Sequence, residues 1–181
     1  MSDMQLRGIK DVSSDDERIR IIAKLVWEGA KSPRIRQLAN HILNAYGVFG
    51  SMGDGKSEMQ EIYAIFDWVK RNIAYRGDVY GIDSYHTAER IAFDLKGGDC
   101  DDMTILLDSL LSSIGWRTGA RIVSSRKDKP FHHIYSIVVY PKNSPIEKTK
   151  IIPLDPTVKS FSVGDEVPYA KHRDFLFLCC E

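Results

Sequence analysis

Cys100 is the residue whose type and setting most clearly allow chemistry. It stands in the run Gly97-Gly98-Asp99-Cys100-Asp101-Asp102, directly before a stretch with apolar residues at helical spacing. A cysteine attacks a carbonyl only as the thiolate, and a helix N-terminus lowers a thiol's pKa because its unpaired N–H groups and dipole favour negative charge. The two glycines would let the chain turn tightly and leave room for a substrate. The sequence therefore predicts a nucleophilic thiol at the start of a helix.

A histidine and an acid that could assist this thiol lie downstream. The thiol needs an imidazole to exchange its proton and a third group to orient the ring. His132 and His133 stand in a β-branched run, 131–140, and Asp155 closes the next such run. Neighbouring strands lie about 4.8 Å apart, so these side chains can meet. Because side chains alternate along a strand, only one of the two histidines can face Cys100.

The elements that must position these residues follow from changes in hydrophobic period. The spacing predicts helices over about 13–29, 32–46 and 57–72, a short helix around 87–91, and the nucleophile helix from Cys100 to Gly115. Strands are predicted over 117–124, 131–140 and 148–154, and the apolar tail 174–181 reads as a last strand. Helices followed by strands indicate an α+β fold in which the nucleophile helix packs on an antiparallel sheet. A length of 181 residues favours one domain, 1–181, with a helical N-terminal extension, 1–56, before a core, 57–181.

Three blocks of the sequence resemble the signature blocks of the transglutaminase-like superfamily, which has the papain/transglutaminase-like fold. They are Gly98-Asp99-Cys100-Asp101-Asp102 opening an apolar helix, His133-Ile134-Tyr135 on a strand, and Leu154-Asp155-Pro156-Thr157 closing the next strand. Residues 65–75 and 87–89 are also similar to the family's approach to its cysteine, so the resemblance runs from about 60 to 157. It implies Cys100, His133 and Asp155 as the catalytic residues in family order. His133 rather than His132 keeps the family's spacing, which leaves His132 on the other face as a rim group.

The resemblance implies thiol-dependent acyl transfer on an amide bond. Resolution of the acyl-enzyme by water would give a cysteine peptidase or amidase, and resolution by an amine would give a protein-crosslinking transglutaminase. Hydrolysis is favoured because bacterial and phage members of the family look mostly protease-like. The backbone N–H of Cys100 is the expected oxyanion donor, with a second donor from the Tyr75–Tyr85 region. A catalytically silent structural or virion assembly protein that keeps the fold is the competing interpretation.

The expected setting rests on weaker signals. The small size and the helices before the core are similar to phage- and prophage-encoded members, which implies a role in phage assembly or host interaction. A protein or peptide substrate and phage structural proteins are the expected partners. Lysine plus arginine equal aspartate plus glutamate at 25 each, which disfavours binding to nucleic acid or an anionic membrane. Without an apolar run of about 20 residues or a signal segment, we expect a cytoplasmic protein, with incorporation into a virion as a further option.

Other motifs receive plainer interpretations. Asp99, Asp101 and Asp102 are expected to be helix-start charges and loop anchors. They could instead form a metal site with Cys100 and the histidines, but the sequence has no paired Cys-x-x-Cys or His-x-x-x-His spacing, so no metal and no cofactor are predicted. Gly50 to Ser57 matches a P-loop pattern, but an amphipathic helix rather than a buried strand precedes it, so a flexible loop is predicted. The adjacent Cys179 and Cys180 do not suggest a disulfide framework.

Overall fold

The computed structural model describes residues 15–48, 55–77 and 84–177. Most of the P-loop-like run lies outside these residues, as do Cys179 and Cys180 and the start predicted for the first helix. Within the described ranges, no helix is both long enough and apolar enough to cross a membrane.

Four α-helices form at the predicted places. They are α1 (Asp15–Lys31), α2 (Pro33–Ala45), α3 (Gly55–Asn72) and α4 (Cys100–Ser113). Acidic residues occupy the first turn of α1, where they complement the helix dipole. The Ser32 side chain caps α2 by accepting a hydrogen bond from the backbone N–H of Ile35 at 3.2 Å, with Pro33 as the first helical residue.

The strands form the expected antiparallel sheet. Its members are β3 (Thr118–Ser124), β4 (His133–Tyr140), β5 (Lys150–Leu154) and β6 (Lys171–Leu176), in the order β5-β4-β3-β6. The last strand begins three residues before the predicted start and pairs with β3. The α+β class and the antiparallel sheet are therefore confirmed.

A second, very small sheet was not predicted. In it β1 (Ala74–Tyr75) runs parallel to β2 (Gly97–Gly98), and Tyr75 pairs with Gly98. Two-residue strands leave no alternation to detect in a sequence. Between them, the short helix expected around 87–91 continues as a π-helix over Arg90–Leu95. The pairing fixes the backbone that leads into Cys100.

The structure corrects the reason for the paired glycines. Neither has a positive φ; the left-handed residue is Lys96, at φ 48°. A Cβ on Gly98 would instead lie 2.4 Å from the Cβ of Asp102, and one on Gly97 would lie 2.9 Å from the carbonyl oxygen of Ala74. Glycine is required at 98 because the helix that follows packs against this backbone.

Helix α4 forms the centre of the molecule. It packs against α1, α2, α3, β3 and β4, and residues from Asp101 to Leu111 are all buried. The sequence predicted one apolar face, but a helix enclosed by other elements buries its polar residues as well. Ser109, for example, donates hydrogen bonds to carbonyl oxygens of α4 and of Val26 in α1.

Candidate active site

Cys100 occupies the first position of α4, as predicted. Asp99 is the N-cap, and its side chain accepts a hydrogen bond from the backbone N–H of Asp102 at 3.0 Å. The thiol is mostly enclosed, and the backbone of Ile134 lies close enough to lower its pKa through hydrogen bonding. Helix α4 therefore brings Cys100 close to the beginning of β4, whose first residue is His133 and whose second is Ile134.

His133 and Asp155 form a hydrogen-bonded pair. The Nε2 atom of His133 lies 2.8 Å from Oδ2 of Asp155, which is fully buried. The other carboxyl oxygen accepts hydrogen bonds from Thr157, from its backbone N–H at 3.1 Å and its hydroxyl at 2.6 Å. The register of β4 and β5 explains why these two side chains are in contact. Leu154 pairs with Ser136, so the next residue, Asp155, lies diagonally across from His133. The pair leaves the Nδ1 atom of the imidazole for another partner.

The three predicted site residues are not all joined by hydrogen bonds. Among hydrogen bonds within the described ranges, none connects Cys100 with His133. His132 precedes β4 with an exposed side chain, and its backbone N–H bonds to the carbonyl oxygen of Val123. The structure thus joins His133 to Asp155 and places Cys100 close to the backbone of Ile134, the residue after His133.

The electrostatic setting of Cys100 differs from the expectation. Burial raises the pKa of the thiol to about 12, and the carboxylates of Asp101 and Asp99 contribute to the increase. Arg18 and the backbone of Ile134 act in the opposite direction. The thiol therefore has a raised pKa although it lies at a helix N-terminus, because enclosure of the sulfur and two nearby acids favour the protonated form.

The two acids that follow Cys100 have specific partners. Asp101 accepts hydrogen bonds from the guanidinium of Arg18 on α1, the shortest at 2.7 Å. Asp102 lies 2.9 Å from Nδ1 of His86 and also accepts from the backbone N–H of His86 at 3.0 Å. The interpretation of these acids as helix-start charges and loop anchors agrees with the contacts. Sequence reasoning missed Arg18 and His86, since neither belongs to a motif spaced from Cys100.

A further polar network supports the histidine from the same face of the sheet. The rings of His133 and Tyr135 have centroids 5.6 Å apart, and the Tyr135 hydroxyl donates to Glu166 at 2.6 Å. Arg121 on β3 contacts Glu166 at 2.9 Å and Asp174 on β6 at 2.7 Å. The segment between β5 and β6 is thereby tied to the strand that holds His133.

The expected second oxyanion donor is not identified by these contacts. Residues 78–83 of the Tyr75–Tyr85 region lie outside the described ranges. Tyr75 itself pairs with Gly98, and its side chain is 55% exposed. Partial burial raises the pKa of this tyrosine, and the nearby Cys100, Asp99 and Asp155 act in the same direction, so its hydroxyl is protonated.

Comparison with known proteins identifies the family. The sequence model of the Transglutaminase-like superfamily matches residues 48–156, more than half of the chain. The chain belongs to the transglutaminase-like superfamily. A search of curated proteins found no match.

Two solved structures are similar at low sequence identity, and the first of them shows the same fold. A "putative protease" from Parabacteroides distasonis ATCC 8503 superposes with a TM-score of 0.50 and 12% identity, covering 90% of this chain and 36% of that one. A "putative cysteine protease" from Cytophaga hutchinsonii has a TM-score of 0.44 and 15% identity, covering 95% of this chain and 59% of that one. The chain thus spans less than two thirds of either neighbour.

Proposed function

We propose that this chain is a thiol-dependent acyltransferase that hydrolyses an amide bond in a protein or peptide, with Cys100 as nucleophile, His133 as acid–base and Asp155 as the group that orients the imidazole. The observation that carries the proposal is the His133–Asp155 hydrogen bond at the start of β4, where the backbone of the next residue, Ile134, lies close to the thiol of Cys100. Membership of the transglutaminase-like superfamily supports the same chemistry.

The proposed mechanism follows from the atoms that each group leaves available. Because the pKa of the Cys100 thiol is raised to about 12, the sulfur holds its proton at neutral pH. A carboxylate only accepts hydrogen bonds, so Asp155 requires the hydrogen of His133 on Nε2 and leaves Nδ1 with a free lone pair. Nδ1 would remove the thiol proton as the sulfur attacks the carbonyl carbon, without a preformed thiolate–imidazolium pair.

The remaining steps return the site to its starting state. The backbone N–H of Cys100 would stabilise the oxyanion of the tetrahedral intermediate. The imidazolium would protonate the leaving amine as the C–N bond breaks, which produces a thioester on Cys100. Water, deprotonated by the same imidazole, would attack the thioester, release the carboxylic acid and restore the thiol.

Thiol labelling tests the proposal without a known substrate. Fluorescent iodoacetamide would be applied to the wild type, to Cys100→Ala and to His133→Ala, and modification of Cys100 followed by peptide mass spectrometry. His132→Ala is the matched control, because it removes the adjacent, exposed imidazole. Because Nδ1 of His133 would remove the thiol proton during alkylation, we expect faster labelling of Cys100 in the wild type and His132→Ala than in His133→Ala. Labelling no faster than that of a free cysteine, and indifferent to His133, would instead indicate a structural protein that has kept the fold.

The acyl acceptor requires a separate measurement. Casein incubated with the protein and a fluorescent primary amine would either be cleaved, giving new N-termini, or acquire the amine on glutamine side chains. We propose cleavage, in keeping with the protease-like appearance of bacterial and phage members of the family. Incorporation of the amine, lost in Cys100→Ala, would identify a crosslinking transglutaminase instead.

A further inference from the structure

Helix α1 lies outside the stretch that matches the family yet packs directly on the nucleophile helix. The matched residues begin at 48, whereas α1 spans Asp15–Lys31. Its contacts with α4 are extensive, and Ile19, Ile22 and Val26 are buried in the shared core. Gly29 approaches Ser109 so closely that a Cβ on the glycine would lie 2.3 Å from the serine hydroxyl oxygen. The first turns of α1 are therefore held at a fixed position along α4.

The charged contact between these helices lies next to the reactive sulfur. In Arg18, Nε lies 3.2 Å from both carboxyl oxygens of Asp101, and a terminal nitrogen lies 2.7 Å from Oδ1. The Asp101 side chain is only 5% exposed, and that of Arg18 is 23% exposed. A carboxylate this deeply enclosed is weakly screened by solvent, so its charge acts strongly on the neighbouring Cys100 unless a cation compensates for it.

We propose that Arg18 is a positioning residue of the Cys100 site, which holds Asp101 and partly offsets the negative charge that opposes ionisation of the thiol. The inference rests on the proposed function for its biological meaning, but it concerns a property of the sulfur that can be measured without a substrate. It makes helix α1 part of the reactive centre rather than an accessory to the family core.

Several charged and titratable groups surround the thiol, and only Arg18 and Asp101 are changed in the test. Asp102, which is one residue farther into α4, already has His86 as its partner. Arg18 compensates for Asp101, and its guanidinium itself acts on Cys100 in the direction opposite to the acids. Besides Asp102 and His86, the described groups around the site include Asp99, Asp101, Arg18, Tyr75, Tyr85 and the His133–Asp155 pair.

Charge variants in a double-mutant cycle test the proposal. Second-order rate constants for iodoacetamide labelling of Cys100 would be measured between about pH 6 and pH 9 for wild type, Arg18→Gln, Asp101→Asn and the double variant. Arg20→Gln is the matched control, because it removes the same charge from an exposed position on the same helix. Circular dichroism would establish that each variant is folded.

The expected effects have opposite signs. Arg18→Gln removes the guanidinium that binds Asp101 and should slow labelling about tenfold, corresponding to a rise of about one unit in the thiol pKa. Asp101→Asn leaves a net positive charge and should accelerate labelling by a similar factor, while the double variant should return to within about threefold of the wild type. Arg20→Gln should behave like the wild type. A purely structural ion pair would instead make both single variants change labelling in the same direction.

Two results would overturn the inference. One is an Arg18→Gln rate equal to that of Arg20→Gln, and the other is an Asp101→Asn rate no higher than that of the wild type. If Arg18→Gln does not fold, the double variant decides the question, since a rate equal to that of Asp101→Asn would show that Arg18 has no effect on the sulfur. Failure of the proposed function has a different signature, namely labelling that is insensitive to His133→Ala while the charge variants still shift the rate.

Discussion

Replacement of Asp155 by asparagine should disable the site while leaving the fold intact. The two side chains have nearly the same shape, so the buried position remains filled. Oδ1 of Asp155 accepts a hydrogen bond from the backbone N–H of Thr157. This N–H can only donate, and therefore the amide oxygen of the asparagine must take the place of Oδ1. The NH₂ group must then face Nε2 of His133, where the carboxylate oxygen now lies at 2.8 Å.

The magnitude follows from the tautomer that this amide would impose. An NH₂ group donates to Nε2, so the imidazole hydrogen moves to Nδ1, the atom that must accept the thiol proton. In a serine triad the same change lowers kcat by about 10⁴ because of the wrong tautomer. Each factor of ten corresponds to about 1.4 kcal/mol. We expect at least a 100-fold loss for Asp155→Asn, equivalent to about 3 kcal/mol of lost transition-state stabilisation.

The assay is iodoacetamide labelling of Cys100 at neutral pH. Thr157→Val is the control, because it removes the hydroxyl hydrogen bond to Asp155 at 2.6 Å but keeps the backbone donor; its rate should fall less than tenfold. His133→Ala combined with Asp155→Asn should be no slower than His133→Ala alone, since both changes disable the same imidazole. An Asp155→Asn rate within twofold of the wild type, or additive losses in the double variant, would refute the tautomer argument.

Three further changes probe the helix and sheet that position the site. Burial raises the pKa of Asp108 well above its usual value. The folded chain therefore keeps a proton on this carboxyl group that the unfolded chain releases above about pH 4. The free energy of unfolding should fall as the pH rises, by up to about 1.4 kcal/mol for each pH unit. In thermal unfolding, the stability of Asp108→Asn relative to the wild type should therefore increase between about pH 5 and pH 8. A stability difference that does not change with pH would contradict the raised pKa of Asp108. Gly98→Ala forces a Cβ to within 2.4 Å of the Asp102 Cβ and should lower the free energy of unfolding in urea by about 3 kcal/mol. Gly77→Ala is the control, because Gly77 has open space around it and its replacement should change the free energy of unfolding little. Tyr135→Phe removes a hydrogen bond to a carboxylate and should lower the free energy of unfolding by about 1–2 kcal/mol; an unchanged urea midpoint would show that the network does not anchor this strand.

Elements with clear periodicity were predictable because their signals are local. Ser32 and Pro33 mark the beginning of α2 in the sequence and occupy those positions in the structure. The apolar spacing from Cys100 onward predicted α4. The β-branched runs predicted three strands of the main sheet, and alternation along β4 separates the partly enclosed His133 from the exposed His132. The catalytic roles assigned to Cys100, His133 and Asp155 remain predictions for the labelling experiments.

Features that depend on contacts between distant segments could not be predicted. The β1–β2 pair consists of two residues on each side, too few for any period. Gly98 was interpreted as a turn former, although its role is to admit the side chain of Asp102. Asp108 resembles an ordinary polar residue of an amphipathic helix until the surrounding elements enclose α4.

The sequence by itself determined the order and type of the chemical groups, because a residue's identity and its neighbours specify whether it can be a nucleophile, a base or a cap. Only the tertiary structure decided the charge state around the sulfur. Burial of Cys100 and its proximity to Asp101 raise the thiol pKa, and Arg18 opposes this from a helix 83 positions earlier than Asp101. Electrostatic energy depends on distance and solvent exclusion, and neither quantity exists until the helices have packed.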